Sequence, residues 1–222
     1  MRLSKRKLFW LTIFAVAIAY LEATVVVYLR QIYYPDNLQV IFPPKMFSTF
    51  NLVVELIREA TTIIIMLSVA FLTERKNRTR IFAAFIFQFG VWDIFYYIWL
   101  KATIGWPVSW IEWDILFLIP WAWLGPWICP ALISILFISW SSIVLMSDKE
   151  YVLSKLSLWF FIFGSILGLI SFLQPAIPFI INNRVEDFQY YIPRNFWWWL
   201  FIPGYLLMVA GFAKSIFNKQ PD

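Results

Sequence analysis

The stretch FNLVVELIREATTIIIMLSVAFLT, Phe50–Thr73, decides the fold. At about 1.5 Å per residue a helix of this length matches a hydrocarbon core of roughly 30 Å. Its outer part nevertheless carries Glu55, Arg58 and Glu59. Ionisable groups inside a span raise the insertion free energy by about 2.5–3.5 kcal/mol each and are functional suspects by default. Either the segment is not a span, or the charges are sheltered and matched by its neighbours.

The rest of the chain answers for the span. Comparable apolar runs cover Leu8–Leu29, Ile81–Leu100, Trp127–Met146, Leu156–Gln174 and Trp197–Phe217, the last interrupted by Pro203-Gly204. The 222 residues are 62% hydrophobic and 14% charged, against about 45–50% and about 25% in soluble domains. The expected fold is therefore an all-α integral membrane protein. It is a single polytopic membrane domain over 1–222, a bundle of six transmembrane helices.

Basic residues orient the spans. One side carries Arg2, Lys5, Arg6, Lys7, Arg75, Lys76, Arg78, Arg80, Lys149, Lys155, Lys214 and Lys219, the other Arg30, Lys45, Lys101, Arg184 and Arg194. The positive-inside rule puts the first set, with both termini, in the cytoplasm of a bacterial or archaeal cell. These flanks account for the net charge of +5, so no nucleic-acid partner is implied. The sequon Asn77-Arg78-Thr79 falls on that same side and reads as coincidence. Met1–Lys7 followed by small residues resembles a secretory leader, but apolar character continues past Glu22 through Val25–Tyr28. A retained first helix is expected.

The chain contains no histidine, which removes bis-His haem ligation, His-based zinc or copper sites and Ser–His or Cys–His nucleophile pairs. No haem is expected. The single cysteine, Cys129, lies in apolar sequence and reads as an inert packed thiol. No dinucleotide, Walker A or nucleophile-elbow motif is present.

Residues 106–126 stand apart. They are rich in tryptophan and interrupted by Pro107, Pro120 and Pro126. The expectation is a proline-broken interfacial or re-entrant segment before helix four, with Ile111–Ile119 as a short helix at the outer interface. Trp106, Trp110, Trp113, Trp121, Trp123 and Trp127, with Trp197, Trp198 and Trp199, read as an interfacial belt.

Five ionisable residues fall inside the first three spans: Glu22, Glu55, Arg58, Glu59 and Asp93. Counted from the outer helix ends, the four acids lie roughly 7–14 Å below the boundary, at one level in antiparallel neighbours. Glu55, Arg58 and Glu59 share one helix face through i,i+3 and i,i+4 spacing. Asp93 shares its face with Tyr96 and Tyr97, and Glu112 and Asp114 in the segment above could close the group. All ionised, four acids and one arginine sum to −3, which must be relieved by pairing, protonation, water or a bound cation. One pair, Arg58 with Glu22 or Asp93, is expected to be architectural.

The candidate ligand-binding residues are thus Glu22, Glu55, Arg58, Glu59, Asp93, Tyr96, Tyr97 and Asp114. If a metal binds, it is a hard divalent cation such as Ca²⁺, Mg²⁺ or Mn²⁺ held by Glu22, Glu55, Glu59 and Asp93. Three functions compete: a binding or transport component with an outward acidic pocket for a cation or a cationic or proton-coupled solute; a non-catalytic membrane subunit; and an intramembrane enzyme acting on a lipid or isoprenoid. In the last, Glu55 and Glu59 beside Asp93 would be acid and base, with Tyr96 or Tyr97 assisting. The expected partners are the bilayer and a second membrane protein or second copy. Gly164/Gly168 or Ala15/Ala19/Ala23 would form that contact.

Overall fold

The computed structural model describes residues 2–75, 77–149, 151 and 153–217. Lys76 and Lys219 of the basic set lie outside the described residues. The elements in order are α1 (Arg2–Tyr33), α2 (Thr49–Thr73), α3 (Arg78–Ile104), β1 (Trp113–Phe117) and β2 (Trp123–Pro126). They are followed by α4 (Ile128–Met146), α5 (Lys155–Leu173), α6 (Ile177–Ile181), a 3₁₀ turn (Val185–Tyr190) and α7 (Trp198–Phe217). Helix starts follow the local chemistry. The side chains of Ser48, Asn77 and Ser154 accept hydrogen bonds from the backbone N–H of Asn51, Arg80 and Ser157, satisfying donors that a helix N-terminus leaves free. Gly105 closes α3 in the left-handed conformation, at φ 72°.

Five helices, α1 from Lys5 onward, α3, α4, α5 and α7, are long and apolar enough to cross a membrane. The chain is a multi-pass integral membrane protein in contact with the bilayer. The expected count of six is not reached on this criterion, because α2 is not among the five.

The central core joins α1, α3 and α4 with the inner part of α2. Ala15 and Ala19 of α1, Met66 and Ala70 of α2, Ala83, Ala84, Phe87 and Val91 of α3, and Trp140 and Val144 of α4 are buried together. On its flank Trp140 stacks on Phe212 of α7 at 4.5 Å between ring centroids, and Phe161 of α5 stacks on Phe212 at 4.9 Å. Most of the small residues read as contact surfaces pack inside the chain. Ala15, Ala19 and Ala23 are buried within the chain, where a methyl side chain lets α1 lie close to α3. Gly164 of α5 meets Gly204 of α7, and a Cβ added at Gly164 would sit 2.5 Å from the Gly204 carbonyl oxygen. α7 runs through the adjacent Pro203 as one helix. Gly164→Ala is accordingly expected to lower stability by about 1–3 kcal/mol through overpacking, read as a fall in melting temperature in detergent. An unchanged melting temperature would place the α5–α7 contact elsewhere.

Polar contacts close one end of the bundle. Lys7 pairs with Glu74 at 3.2 Å, Arg80 pairs with Glu74 at 3.3 Å, and the Arg80 guanidinium donates to the carbonyls of Val144, Leu145 and Ser147 at the end of α4. Arg80 thereby satisfies carbonyls that the helix terminus leaves open. Trp140 Nε1 donates to Ser215 Oγ near the end of α7 at 2.7 Å.

Residues 106–126 depart from expectation. Ile111–Ile119 is not an interfacial helix: β1 and β2 pair antiparallel, with Asp114 opposite Gly125 and Ile115 opposite Leu124. The all-α description is corrected by this two-stranded sheet. Its residues explain it. Trp113, Ile115 and Phe117 are good strand formers at period two. Pro120 lies between the strands, and Pro126 removes a donor at the end of β2, where pairing stops. Trp123 lies parallel to Phe172 of α5, anchoring the hairpin. The tryptophans divide accordingly. Trp110 and Trp199 are exposed as a belt requires, whereas Trp106 is fully buried.

Candidate functional site

A cavity of about 350 Å³ lies between the outer halves of α1, α2 and α3, under the hairpin. It is lined by all eight residues singled out in the sequence: Glu22, Glu55, Arg58, Glu59, Asp93, Tyr96, Tyr97 and Asp114. The fold gathers them because α2 bends its charged face inward. Glu55 and Glu59 are buried while Val53, Val54 and Ile57 on the same turns are exposed. Glu112 is not part of the group; it is exposed and accepts from Ser109 Oγ at 3.3 Å. Tyr20, next to Glu22 in sequence, points outward and meets Trp99 edge-on.

Arg58 organises the first polar layer. Its Nε and Nη2 bond the two Glu55 oxygens at 2.9 and 2.5 Å, a bidentate pair within one helix. Its Nη1 pairs with Glu22 of α1, and Thr62 Oγ1 donates to Glu22 at 3.4 Å. Arg58 therefore bridges two glutamates and does not reach Asp93. Glu59, one turn deeper, takes another partner. Both of its oxygens accept from the backbone N–H of Leu118, at 3.1 and 2.9 Å, which ties α2 to the end of the hairpin.

Asp93 bonds to α4 rather than to the tyrosines on its own helix face. Its Oδ2 accepts from Ser134 Oγ of α4 at 2.8 Å. Tyr96 and Tyr97 remain beside it on the wall, with their rings edge to face at 5.0 Å.

A second ion pair was not legible in the sequence. Arg30, at the outer end of α1, is almost wholly buried. Its Nη2 lies 3.7 Å from Asp114 Oδ1, its Nη1 donates to the Leu38 carbonyl at 3.1 Å, and its guanidinium carbon sits 4.2 Å from the centre of the Trp106 ring. Asp114 also accepts from the Ile115 N–H at 3.0 Å, but its Oδ2 is buried with no donor. Burial pushes the Asp114 carboxyl up to about 6, against the opposing pull of Arg30, the Ile115 N–H and the Tyr97 phenol.

The cations are thus unevenly shared. Arg58 serves Glu22 and Glu55, and Arg30 serves Asp114; among the described residues Glu59 and Asp93 face no cation within ion-pair distance. The remaining wall is apolar and aromatic, including Val26, Leu29, Trp92, Phe117 and Trp121. At the mouth stand Tyr33, Tyr34, Lys45, Met46 and Phe47, of which Lys45 and Met46 are exposed. Arg30, Lys45, Ser134 and the Leu118 N–H escaped the sequence reading. Only the charge at the end of a span gave any signal for Arg30.

The carboxylates do not assemble a metal centre. Among the described residues no group of three or more His, Cys, Asp or Glu could hold a metal ion. The reason is local: the Arg58 guanidinium stands between Glu22 and Glu55, Glu59 is engaged by a backbone N–H, and Asp93 is turned to Ser134. Glu22, Glu55, Glu59 and Asp93 are thus not gathered as such a group among the described residues. Cys129 is buried among apolar side chains, as an inert packed thiol would be. No family model, curated protein or solved structure matches the chain.

Proposed function

We propose that the chain is a membrane-embedded binding or transport component. Its cavity, open at the outer end of the bundle, takes a cationic or proton-coupled small solute. One observation carries the reading: among the described residues Glu59 and Asp93 have no cation partner, and they stand on one cavity where the arginines are already taken by Glu22, Glu55 and Asp114 and the one further cation, Lys45, is exposed at the mouth. A buried carboxylate in apolar surroundings favours either a proton or a bound cation, and the cavity has the size of a small-molecule site. A general acid–base reading has less support, because Glu55 is held by Arg58 and both oxygens of Glu59 by Leu118.

In this reading α2 is the sixth span. Its apolar side chains Val53, Val54, Ile57, Ile64 and Leu72 are exposed, as lipid contact requires, and its acids point to the protein interior. Six spans with the Lys7–Glu74–Arg80 end in the cytoplasm satisfy the positive-inside rule.

The test is native mass spectrometry of the protein gently extracted from its own membranes. The expected result is a single chain carrying a small-molecule mass that Asp93→Asn loses while the folded yield stays near wild type. Asparagine can still accept the Ser134 hydrogen bond, so the substitution removes charge with little structural change. A stoichiometric second polypeptide with no small-molecule mass would overturn the proposal in favour of a subunit of a larger complex.

A further inference from the structure

We infer that the solute is a protonated amine bearing N–H donors on an apolar body, rather than an inorganic cation or a quaternary ammonium. The inference rests on the reading of the cavity as a cation site and narrows it.

Three features of the cavity wall combine. The first is its demand for donors. Asp114 is about 2% exposed, lines the cavity beside the Tyr97 phenol, and presents a buried Oδ2 with no well-formed hydrogen bond among the described residues. Asp93, near enough to interact with Asp114 electrostatically, uses one oxygen on Ser134, and among the described residues no hydrogen bond reaches its other oxygen. A buried carboxylate oxygen without a donor is destabilised by the full loss of its hydration. A ligand supplying N–H groups relieves this at Asp114 and gives Asp93 a second donor. A trimethylammonium head brings charge but no N–H.

The second feature is the apolar remainder of the wall. Val26, Leu29, Leu56, Ile115, Leu116 and Phe117 surround the space next to these acids. A bare ion would leave that surface empty or wet, whereas an alkyl or aryl body fills it. The third is the absence of a metal cage among the described residues, since Arg58 and the Leu118 N–H already engage the acids that would complete one. An ammonium needs only two or three convergent oxygens and tolerates an incomplete shell, and the electron-rich rings of Tyr96 and Trp121 line the same wall.

The experiment is equilibrium binding to the full chain in lipid nanodiscs, followed by tryptophan fluorescence, with empty nanodiscs subtracted for partitioning. The probes are the alkylammonium ions from butyl to octyl, hexyltrimethylammonium, hexanol and Mg²⁺. Hexylammonium is expected to saturate, with affinity rising about threefold to fourfold per added methylene until the cavity is full. Hexyltrimethylammonium and hexanol should bind at least tenfold more weakly, and Mg²⁺ should not compete. Asp93→Asn should weaken hexylammonium at least tenfold without shifting the melting temperature, and Glu59→Gln serves if that variant does not fold. Hexyltrimethylammonium equal to hexylammonium, or Mg²⁺ displacing it, would overturn the inference while leaving a cation site in place. Hexanol matching hexylammonium, with Asp93→Asn indifferent, would overturn both the inference and the cation-site reading. Absence of saturable binding by every amine overturns the inference directly.

Discussion

Arg58→Ala should destabilise the folded chain by about 3–5 kcal/mol, the effect of removing one partner from a buried ion pair. Arg58 is the shared cation of Glu22 and Glu55, with all three side chains mostly buried. Its loss leaves two carboxylates facing each other at the side of the cavity with only Thr62 Oγ1 as a remaining donor to Glu22. It also cuts a charged tie between α1 and α2, leaving the hydrogen bonds from Asn51 to the Tyr33 hydroxyl and from Thr62 to Glu22 to join them across the cavity. The measurement is unfolding in mixed detergent followed by circular dichroism. Charge, rather than packing, is identified by a companion variant: Glu22→Gln and Glu55→Gln introduced together with Arg58→Met should recover most of the stability. Replacement of a buried ion-pair network by neutral groups of similar volume is often neutral or stabilising. Wild-type stability in Arg58→Ala would remove the triad from any architectural role, and failure of the neutral triple variant would mean that guanidinium geometry itself is required.

The residues of the site were legible because membrane burial makes charge conspicuous. Glu22, Glu55, Arg58, Glu59 and Asp93 stand out of apolar runs, and antiparallel helices of matched length bring equal depths together. Who pairs with whom was not legible. Helix phase places Glu55 beside Arg58, but the rotation of α3 that sends Asp93 to Ser134 of α4 depends on the alanine and glycine faces that set the approach of the helices. The same applies to Arg30: its position at the end of α1 suits water equally well, and only the fold of residues 34–48 and the hairpin encloses it.

The hairpin illustrates a different limit. An apolar segment broken by prolines at the membrane surface suits a short helix or a pair of strands, and periodicity over so few residues does not separate them. Pairing decides it, since Trp113–Phe117 finds its partner in Trp123–Pro126 and the Leu118 N–H then becomes available to Glu59. Backbone donors carry no mark in a sequence, so a site completed by one is always underread.

Asp114 supplies the second large effect, a pH dependence. The carboxyl is held at about 6 in the folded chain, above the ordinary value of about 3.9, so the folded state binds its proton more tightly than the unfolded state does. The stabilisation from this proton is complete below the unfolded value and is lost as pH rises through about 6; across that window it amounts to about 3 kcal/mol. The groups facing it are Arg30 from α1, and Asp93 and Tyr97 from α3. Burial prevails over Arg30 because that guanidinium stands 3.7 Å away and divides its donors with the Leu38 carbonyl and the Trp106 ring. Melting temperatures measured from pH 4.5 to 7.5 should therefore fall in the wild type and fall distinctly less in Asp114→Asn, which keeps the size of the side chain and has no charge to lose. Equal slopes in the two proteins would mean that Arg30 neutralises Asp114 throughout. Arg30→Ala provides the opposite displacement: with the cation gone, the carboxyl should hold its proton to higher pH. The same change should extend the fall in stability toward pH 8 and loosen the hairpin that closes the cavity.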